Sequence, residues 1–217
     1  MKFVFDKSGP LAETYAVAGG FLKTDKTLEV PDAQVVLLSA LGPAKTGGAG
    51  YKIRDLLPDE HGFGLTVYQG SPRSRGSVTL RSPDPFDQPL ITSGYFSDPH
   101  DMEVLKTAVK KMRKMMKQPA ISQFIEKELA PGGDIEDDIS LEKEIRRNGA
   151  TAYHQCASCA MGPEDDSVLN EKLQVRGIDK LRIADASVMP RIPNAALHAP
   201  SMMIGEKAAA LIKGEII

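Results

Sequence analysis

The sequence predicts an α+β fold in which an antiparallel sheet of about five or six strands is flanked by helices. The first half of the chain contains short apolar and β-branched runs separated by turns, without helix-length segments between them, which favours antiparallel pairing. From about Ser97 onward the apolar residues change to helical spacing. Fifteen prolines and nineteen glycines indicate many turns, as in a mixed fold rather than a helical bundle.

Three strands are predicted from local patterns. Residues 35–39 form a β-branched apolar run, residues 64–68 alternate between apolar and polar side chains, and residues 77–80 lie between an Arg-Gly pair and a Pro-Asp-Pro turn. The glycine-rich residues 47–50 lack the spacing and the preceding strand of a dinucleotide-binding loop, so they are predicted to form a flexible loop.

Helices are predicted over residues 99–117, 122–129, 139–148 and 200–213. The first begins at a Ser-Asp-Pro sequence with acidic residues in its first turn, and the third ends at Asn148-Gly149. Residues 181–184 are predicted to form a buried strand. This strand and the last helix make up a C-terminal strand–helix segment.

Composition disfavours several classes of partner. The 27 basic and 29 acidic residues give a formal net charge of -2, so no strong field of one sign would attract nucleic acid or an anionic membrane. No apolar run reaches the roughly 18 residues of a membrane span. Polar residues and Pro10 interrupt the first 20 residues too early for a signal peptide, so a cytoplasmic protein is expected.

Histidine and cysteine side chains cluster near the C-terminus in a pattern that admits several interpretations. His154, Cys156 and Cys159 have a spacing compatible with three zinc ligands, with His198 or solvent as the fourth. The two cysteines could instead be a redox pair, although no thioredoxin-like pattern surrounds them. In a third interpretation the cysteines are small buried residues and the histidines belong to the core. The residue pattern alone leaves these alternatives open.

Several motifs, taken together, resemble the C-terminal region of one oxidoreductase family. They are His154–Gly162 (HQCASCAMG), Val175–Ser187 (VRGIDKLRIADAS), His198 before the last helix, and Ser74–Pro85 (SRGSVTLRSPDP) upstream. In this order they are similar to the glucose–methanol–choline (GMC) oxidoreductases, and Gly9-Pro10-Leu11 and Ala18–Phe21 are similar to the start of the same region. Cys159 occupies the usual cysteine position of the family, whereas Cys156 is outside its pattern.

The resemblance implies an FAD-dependent alcohol oxidoreductase that transfers a hydride from an alcohol carbon to the flavin. It implies that His154 is the base for the hydroxyl proton and that His198 hydrogen-bonds the same oxygen. Asp185 and Ala186 would contact the ribityl–pyrophosphate part of FAD, and Ala199 and Pro200 would face the pyrimidine edge of the flavin. No metal ligand is implied.

The resemblance also assigns different roles to different parts of the chain. It implies that the C-terminal strand–helix segment would dock on an FAD-binding domain. Residues 1–150 would be the substrate-binding domain and residues 151–217 the catalytic segment. The Rossmann domain with a Gly-x-Gly-x-x-Gly loop, which precedes this region in the family, has no counterpart in the sequence. We therefore expect an FAD-binding domain or subunit to act in trans, a small-molecule alcohol as substrate, and little activity from the chain alone.

Other functions remain open on the sequence. The chain could be a non-catalytic fragment or interaction subunit that completes a partner flavoprotein. It could also be a hydroxynitrile-lyase-like protein that uses the same scaffold without net redox chemistry, or a zinc-binding module.

Overall fold

A computed structural model describes residues 16–39, 61–163 and 167–215, together with residues 6, 12 and 14. These residues divide into two compact units. The first unit comprises the described residues up to Gln69 together with Met102–Ala152, and the second comprises Gly70–Asp101 and the described residues from Tyr153 onward. The functional assignment of residues 1–150 and 151–217 stays a prediction.

The described elements, in chain order, are β1 (Ala16–Leu22), β2 (Ala33–Leu38), β3 (Gly64–Gln69), β4 (Ser77–Thr79), β5 (Leu90–Thr92), α1 (Pro99–Met116), α2 (Pro119–Ser122), α3 (Asp138–Asn148), a single-turn 3-10 helix (Ala186–Val188) and α4 (His198–Lys213). No helix within the described part of the chain is both long and apolar enough to span a membrane.

The first unit contains an antiparallel sheet in the order β1-β2-β3. The central strand β2 pairs with both neighbours, so that Val35 lies opposite Gly20 on one side and Val67 on the other. Ala33 and Val35 are buried and alternate with partly exposed residues, which is the period-2 pattern of a strand with one covered face. The strands predicted at residues 35–39 and 64–68 are confirmed with shifts of one or two residues at their ends.

The helices of the first unit are fixed by apolar packing and by ion pairs. Helix α1 buries Val104, Ala108 and Met112 at intervals of four residues, and it also buries Met102. Lys110 of α1 forms an ion pair with Asp138 at the start of α3. The Asp137 carboxylate caps α3 by accepting hydrogen bonds from the backbone N–H groups of Ile139 (3.0 Å) and Ser140 (2.9 Å). The predicted helices at residues 99–117 and 139–148 are confirmed.

The second unit contains little regular structure. Strands β4 and β5 form a two-stranded antiparallel hairpin, and α4 ends at Gly214, whose φ of 74° permits the left-handed C-terminal turn. Its core is a cluster of buried side chains from loops, the 3-10 helix and α4: Leu169, Leu173, Val188, Met189, Leu197, Ile204 and Ala208. The predicted last helix is confirmed and begins two residues earlier, at His198.

The single sheet of five or six strands is not confirmed. The five described strands form two separate sheets of three and two strands. The turn that precedes β4 contains Pro72, which has no backbone N–H to donate, and Ser71 at a φ of 45°, outside the strand region. The predicted loop at residues 47–50 and the Gly9-Pro10-Leu11 motif lie outside the described residues.

Two predicted elements are wrong. No helix forms over residues 123–129; the four-residue helix α2 overlaps the predicted range only at Ser122, and it buries none of its side chains, so no packing extends it. Residues 181–184 form no buried strand: Leu181 is exposed, and only Arg182 makes a bridge, to Gln174. The turn at Gly177 and Lys180, both at positive φ, leaves too short a pairing for a strand.

Candidate functional site

The candidate site is built on the buried core of the second unit. Leu197 immediately precedes His198 and belongs to the core cluster, while Ala186 and Cys156 are packed against the same cluster. Both segments that carry the predicted site residues are therefore anchored on one set of buried side chains. Anchoring at neighbouring residues restricts the positions of His198 and Asp185 without burying them.

Backbone hydrogen bonds join the two motif segments directly. The N–H of Cys159 donates to the Ser187 carbonyl (3.1 Å), and the N–H of Met161 donates to the Val188 carbonyl (2.9 Å). On its other side the first segment pairs with Leu169, whose N–H donates to the Ala160 carbonyl (3.1 Å). The segment after His154 thus lies against the 3-10 helix that follows Asp185.

His154 is half-buried and lies in a stretch of unusual backbone. Tyr153 has a φ of 60° and Ala157 a φ of 72°, backbone values that residues other than glycine rarely adopt. Within the described part of the chain no hydrogen bond or ion pair occupies the His154 imidazole. No described side chain therefore competes for its ring nitrogens.

His198 is the first residue of α4 and is exposed. Among the described residues its imidazole also has no hydrogen bond or ion pair. Leu197 before it supplies no side-chain cap to the first N–H groups of the helix. Ala199 and Pro200 follow in the same turn, Ala199 exposed and Pro200 half-buried.

Asp185 caps the 3-10 helix that begins at Ala186. One carboxylate oxygen accepts hydrogen bonds from the Ser187 hydroxyl (2.5 Å) and from the Ser187 backbone N–H (2.7 Å). These two bonds lower the pKa of the Asp185 carboxyl, because they stabilise the ionised form. Asp185 thus presents an exposed anion at the surface of the second unit.

The cysteines do not form a metal site with His154. The residues that the structure places contain no group of three or more His, Cys, Asp or Glu side chains that could hold a metal ion, and these include His154, Cys156 and Cys159. Both cysteines are free thiols. Burial raises the pKa of the Cys156 thiol, an effect that the Arg75 guanidinium partly opposes, so the thiolate needed for zinc is disfavoured.

Comparison with known proteins identifies the family. A family model for the GMC oxidoreductases matches residues 72–205, more than half of the chain. The chain belongs to the GMC oxidoreductase family. Oxygen-dependent choline dehydrogenases of Photobacterium profundum and Escherichia coli are 35% and 33% identical to it over 98% and 99% of the chain. The chain spans 36–37% of the length of these curated relatives.

Solved GMC-type structures have the same fold. A fungal aryl-alcohol oxidase is 30% identical, with a TM-score of 0.68 over 85% of this chain and 28% of that one. Pyridoxine 4-oxidase from Mesorbium loti gives a TM-score of 0.79 at 23% identity over 94% of this chain and 39% of that one. A formate oxidase variant of Aspergillus oryzae gives 0.80 at 24% identity, over 98% and 40% of the respective chains. The GMC assignment made from the motifs is confirmed.

The donors and acceptors of this GMC chain are of the types that FAD requires. The α4 N-terminus offers N–H groups and the positive end of a 16-residue helix to a reduced, anionic flavin. The exposed carboxylate of Asp185 is able to accept hydrogen bonds from hydroxyl groups such as those of a ribityl chain. Both belong to one unit and one core, so the residues present fit the cofactor of the GMC family.

Three supporting residues of the GMC chain were not predicted from the sequence. Asn194 accepts a hydrogen bond from the Ser71 hydroxyl (2.7 Å) across 123 positions of the chain. Buried Asp101 accepts hydrogen bonds from the backbone N–H groups of Arg73 and Ser74. The only sequence signals were the turn-forming Gly70-Ser71-Pro72 and Pro193-Asn194 sequences, which indicate a bend but not its partner.

Proposed function

We propose that this chain is the substrate-side part of an FAD-dependent oxidoreductase that acts on a small-molecule alcohol. The observation that carries the proposal is the pair of motif imidazoles, His154 and His198, on segments anchored to one core and without partners among the described residues. The choline dehydrogenase relatives, similar over almost the whole chain, support choline as the first substrate to test.

His154 is the base in this proposal. Oxidation of an alcohol removes the hydroxyl proton and a hydride from the carbon that bears the hydroxyl group. Imidazole accepts protons near neutral pH, and the His154 ring, which has no partner among the described residues, can accept the hydroxyl proton at one nitrogen. The half-buried position of His154 reduces competition from water for that nitrogen.

His198 orients the same oxygen. A neutral or protonated imidazole at this position donates a hydrogen bond to the developing alkoxide, whose negative charge the positive end of α4 also stabilises. Leu197, the residue before His198, is only 4% exposed. Its burial in the core limits the movement of the His198 imidazole.

FAD, when bound, supplies the oxidant that accepts the hydride. Asp185 and Ala186 would hold its ribityl–pyrophosphate part, with Asp185 accepting hydrogen bonds from hydroxyl groups. Ala199 and Pro200 would face the pyrimidine edge, where small side chains leave the helix N-terminus accessible. The FAD-binding portion comes in this proposal from a longer protein or from a separate subunit. Residues 1–150 would shape the substrate pocket, and residues 151–217 would carry the chemistry.

The test supplies an FAD-binding portion in trans or as a fusion. The chain is co-expressed with, or fused to, the N-terminal portion of the E. coli choline dehydrogenase relative, and flavin absorbance is followed under anaerobic conditions as choline or another primary alcohol is added. We expect bound flavin that loses its visible absorbance on reduction. His154→Gln should slow this reduction roughly 10²- to 10⁴-fold, the usual contribution of a general base. His198→Ala should slow it roughly 10²- to 10³-fold.

His61→Gln is the matched control, because His61 is exposed and lies outside the motifs. It should reduce at the rate of the unaltered protein. Flavin that binds but is reduced equally fast in the His154→Gln protein would contradict the proposed base. A protein that binds flavin but is not reduced by any alcohol would contradict the reaction class.

A further inference from the structure

The segment that leads into α4 is held at both ends. At its C-terminal end Leu197 is buried in the core cluster. At its N-terminal end Asn194 is half-buried and hydrogen-bonded to Ser71. Only two residues, Ala195 and Ala196, separate the two anchors. So short a connection leaves few conformations for the backbone that delivers His198 to the helix N-terminus.

The contact at Asn194 is specific. The Ser71 hydroxyl donates to Asn194 Oδ1 at 2.7 Å and has the Ile192 carbonyl oxygen at 3.3 Å as a second acceptor. Gly70 makes the approach possible: a Cβ at this position would lie 2.5 Å from Asn194 Oδ1 and 3.1 Å from the Asn194 Cα. Any side chain at residue 70 would therefore displace Asn194.

The loop that presents Ser71 is itself fixed. Ser71 has a φ of 45°, which requires its surroundings to maintain a strained backbone. Asp101, only 2% exposed, accepts hydrogen bonds from the N–H groups of Arg73 (2.9 Å) and Ser74 (2.8 Å). The Asp98 N–H donates to the Ser74 hydroxyl (3.1 Å). The loop thus provides a rigid platform at Ser71.

We propose that Ser71 and Asn194 are positioning residues that fix the direction in which the His198 side chain projects from the N-terminus of α4. The importance of this direction for catalysis rests on the proposed function. The positioning itself is a property of the folded chain, and its test requires neither flavin nor substrate.

The test measures amide hydrogen exchange and ¹⁵N relaxation of the full chain in three variants that break the contact differently. Ser71→Gly removes the hydroxyl and also relieves the positive-φ strain, so it does not threaten folding. Gly70→Ala displaces Asn194, and Asn194→Leu removes the acceptor at similar size. The reporter is the Ser201 N–H, which donates to the Leu197 carbonyl at 2.9 Å in the first turn of α4.

We expect exchange at Ser201 to accelerate roughly 2- to 12-fold in each variant, the change that one lost hydrogen bond produces. The His198 amide should gain mobility at the same time. The Cys159 and Met161 amides, which donate to Ser187 and Val188 in the same unit, should exchange at unchanged rates. Asn194→Asp keeps the acceptor oxygen and should behave as the unaltered chain.

Three results would overturn the proposal. Exchange at Ser201 could be unchanged in all three variants. Exchange at Cys159 and Met161 could rise equally, which would mean that the variants destabilise the whole unit rather than the start of α4. Asn194→Asp could fail as Asn194→Leu does, which would exclude the acceptor oxygen as the operative atom. The proposed chemistry is judged separately, by flavin reduction in the His154 and His198 variants.

Discussion

The two units of the chain differ most in their backbone. The first unit has a three-stranded sheet and the long helices α1 and α3. All six described non-glycine residues with positive φ lie in the second unit: Ser71, Phe96, Tyr153, Ala157, Leu173 and Lys180. Such residues cost free energy and persist only where surrounding contacts maintain them.

This difference indicates how the second unit keeps its shape with few regular elements. Its loops are joined by long-range backbone hydrogen bonds, such as those from Cys159 to Ser187 and from Met161 to Val188, and they enclose a buried core. Regular secondary structure stabilises the first unit, whereas individual contacts between loops stabilise the second. The strained backbone lies next to His154, at Tyr153, and at Ser71, so the second unit is not built for maximal stability.

The largest effects should come from opening the core of each unit. Leu169 in the second unit and Leu141 in the first are both 0% exposed. Leu169→Ala and Leu141→Ala should each lower the free energy of unfolding by roughly 2–5 kcal/mol, through lost burial and the cavity left behind. Calorimetry gives the loss, and hydrogen exchange locates it. Leu169→Ala should deprotect the Met161 and Ser201 amides, whereas Leu141→Ala should leave them protected. Equal deprotection of both units by either variant would mean that the chain unfolds as one.

A smaller loss is expected when the buried carboxylate of the second unit is altered. Asp101→Asn leaves one acceptor oxygen for two backbone N–H groups and turns an amide NH₂ toward the other. The free energy of unfolding should fall by roughly 1–3 kcal/mol, the cost of one unsatisfied buried donor. Chemical denaturation measures it. The control is Asp138→Asn in the first unit, which removes an exposed ion pair with Lys110 and should have a much smaller effect. Equal losses would contradict the role assigned to Asp101.

The same difference explains what could be predicted from the sequence. Helices α1 and α3 were predicted because their ends carry local signals, Pro99 and Asn148-Gly149. The helix at residues 122–129 and the strand at residues 181–184 were wrong because packing and turn geometry, not local pattern, decide them. The family was predicted from its motifs, but the contact between Ser71 and Asn194 was not, since these residues are 123 positions apart in the chain.

Replacement of alanine by glycine should change the stability of the protein in opposite directions at one position in each unit. Ala157, at a φ of 72°, is in a conformation that glycine adopts without strain. Ala157→Gly should therefore stabilise the protein by roughly 0.5–1 kcal/mol, or about 1–4 °C in Tm. The matched control is Ala108→Gly in the buried face of α1, which should destabilise by about 1 kcal/mol or more. Thermal unfolding of both variants decides the point, and a loss of stability in both would mean that Ala157 carries no net strain.

The smallest effect concerns acid stability, where one helix cap from each unit can be compared. Hydrogen bonds from Ser140 lower the pKa of Asp137, and hydrogen bonds from Ser187 lower that of Asp185, both from an ordinary value of 3.8. A carboxyl with a lowered pKa in the folded state adds stability that is complete above the unfolded pKa. That stability is lost as the pH falls through the lowered, folded-state pKa.

Asn is a good cap and does not titrate, so Asp137→Asn and Asp185→Asn should keep most of the stability at neutral pH and flatten its fall below about pH 4. Unfolding followed from pH 6 to pH 2 measures this change. Asp137 caps an 11-residue helix and Asp185 only a single turn. The flattening should therefore be larger for Asp137→Asn if the cap supports the helix behind it, and equal for both if each carboxylate acts only through its own two hydrogen bonds.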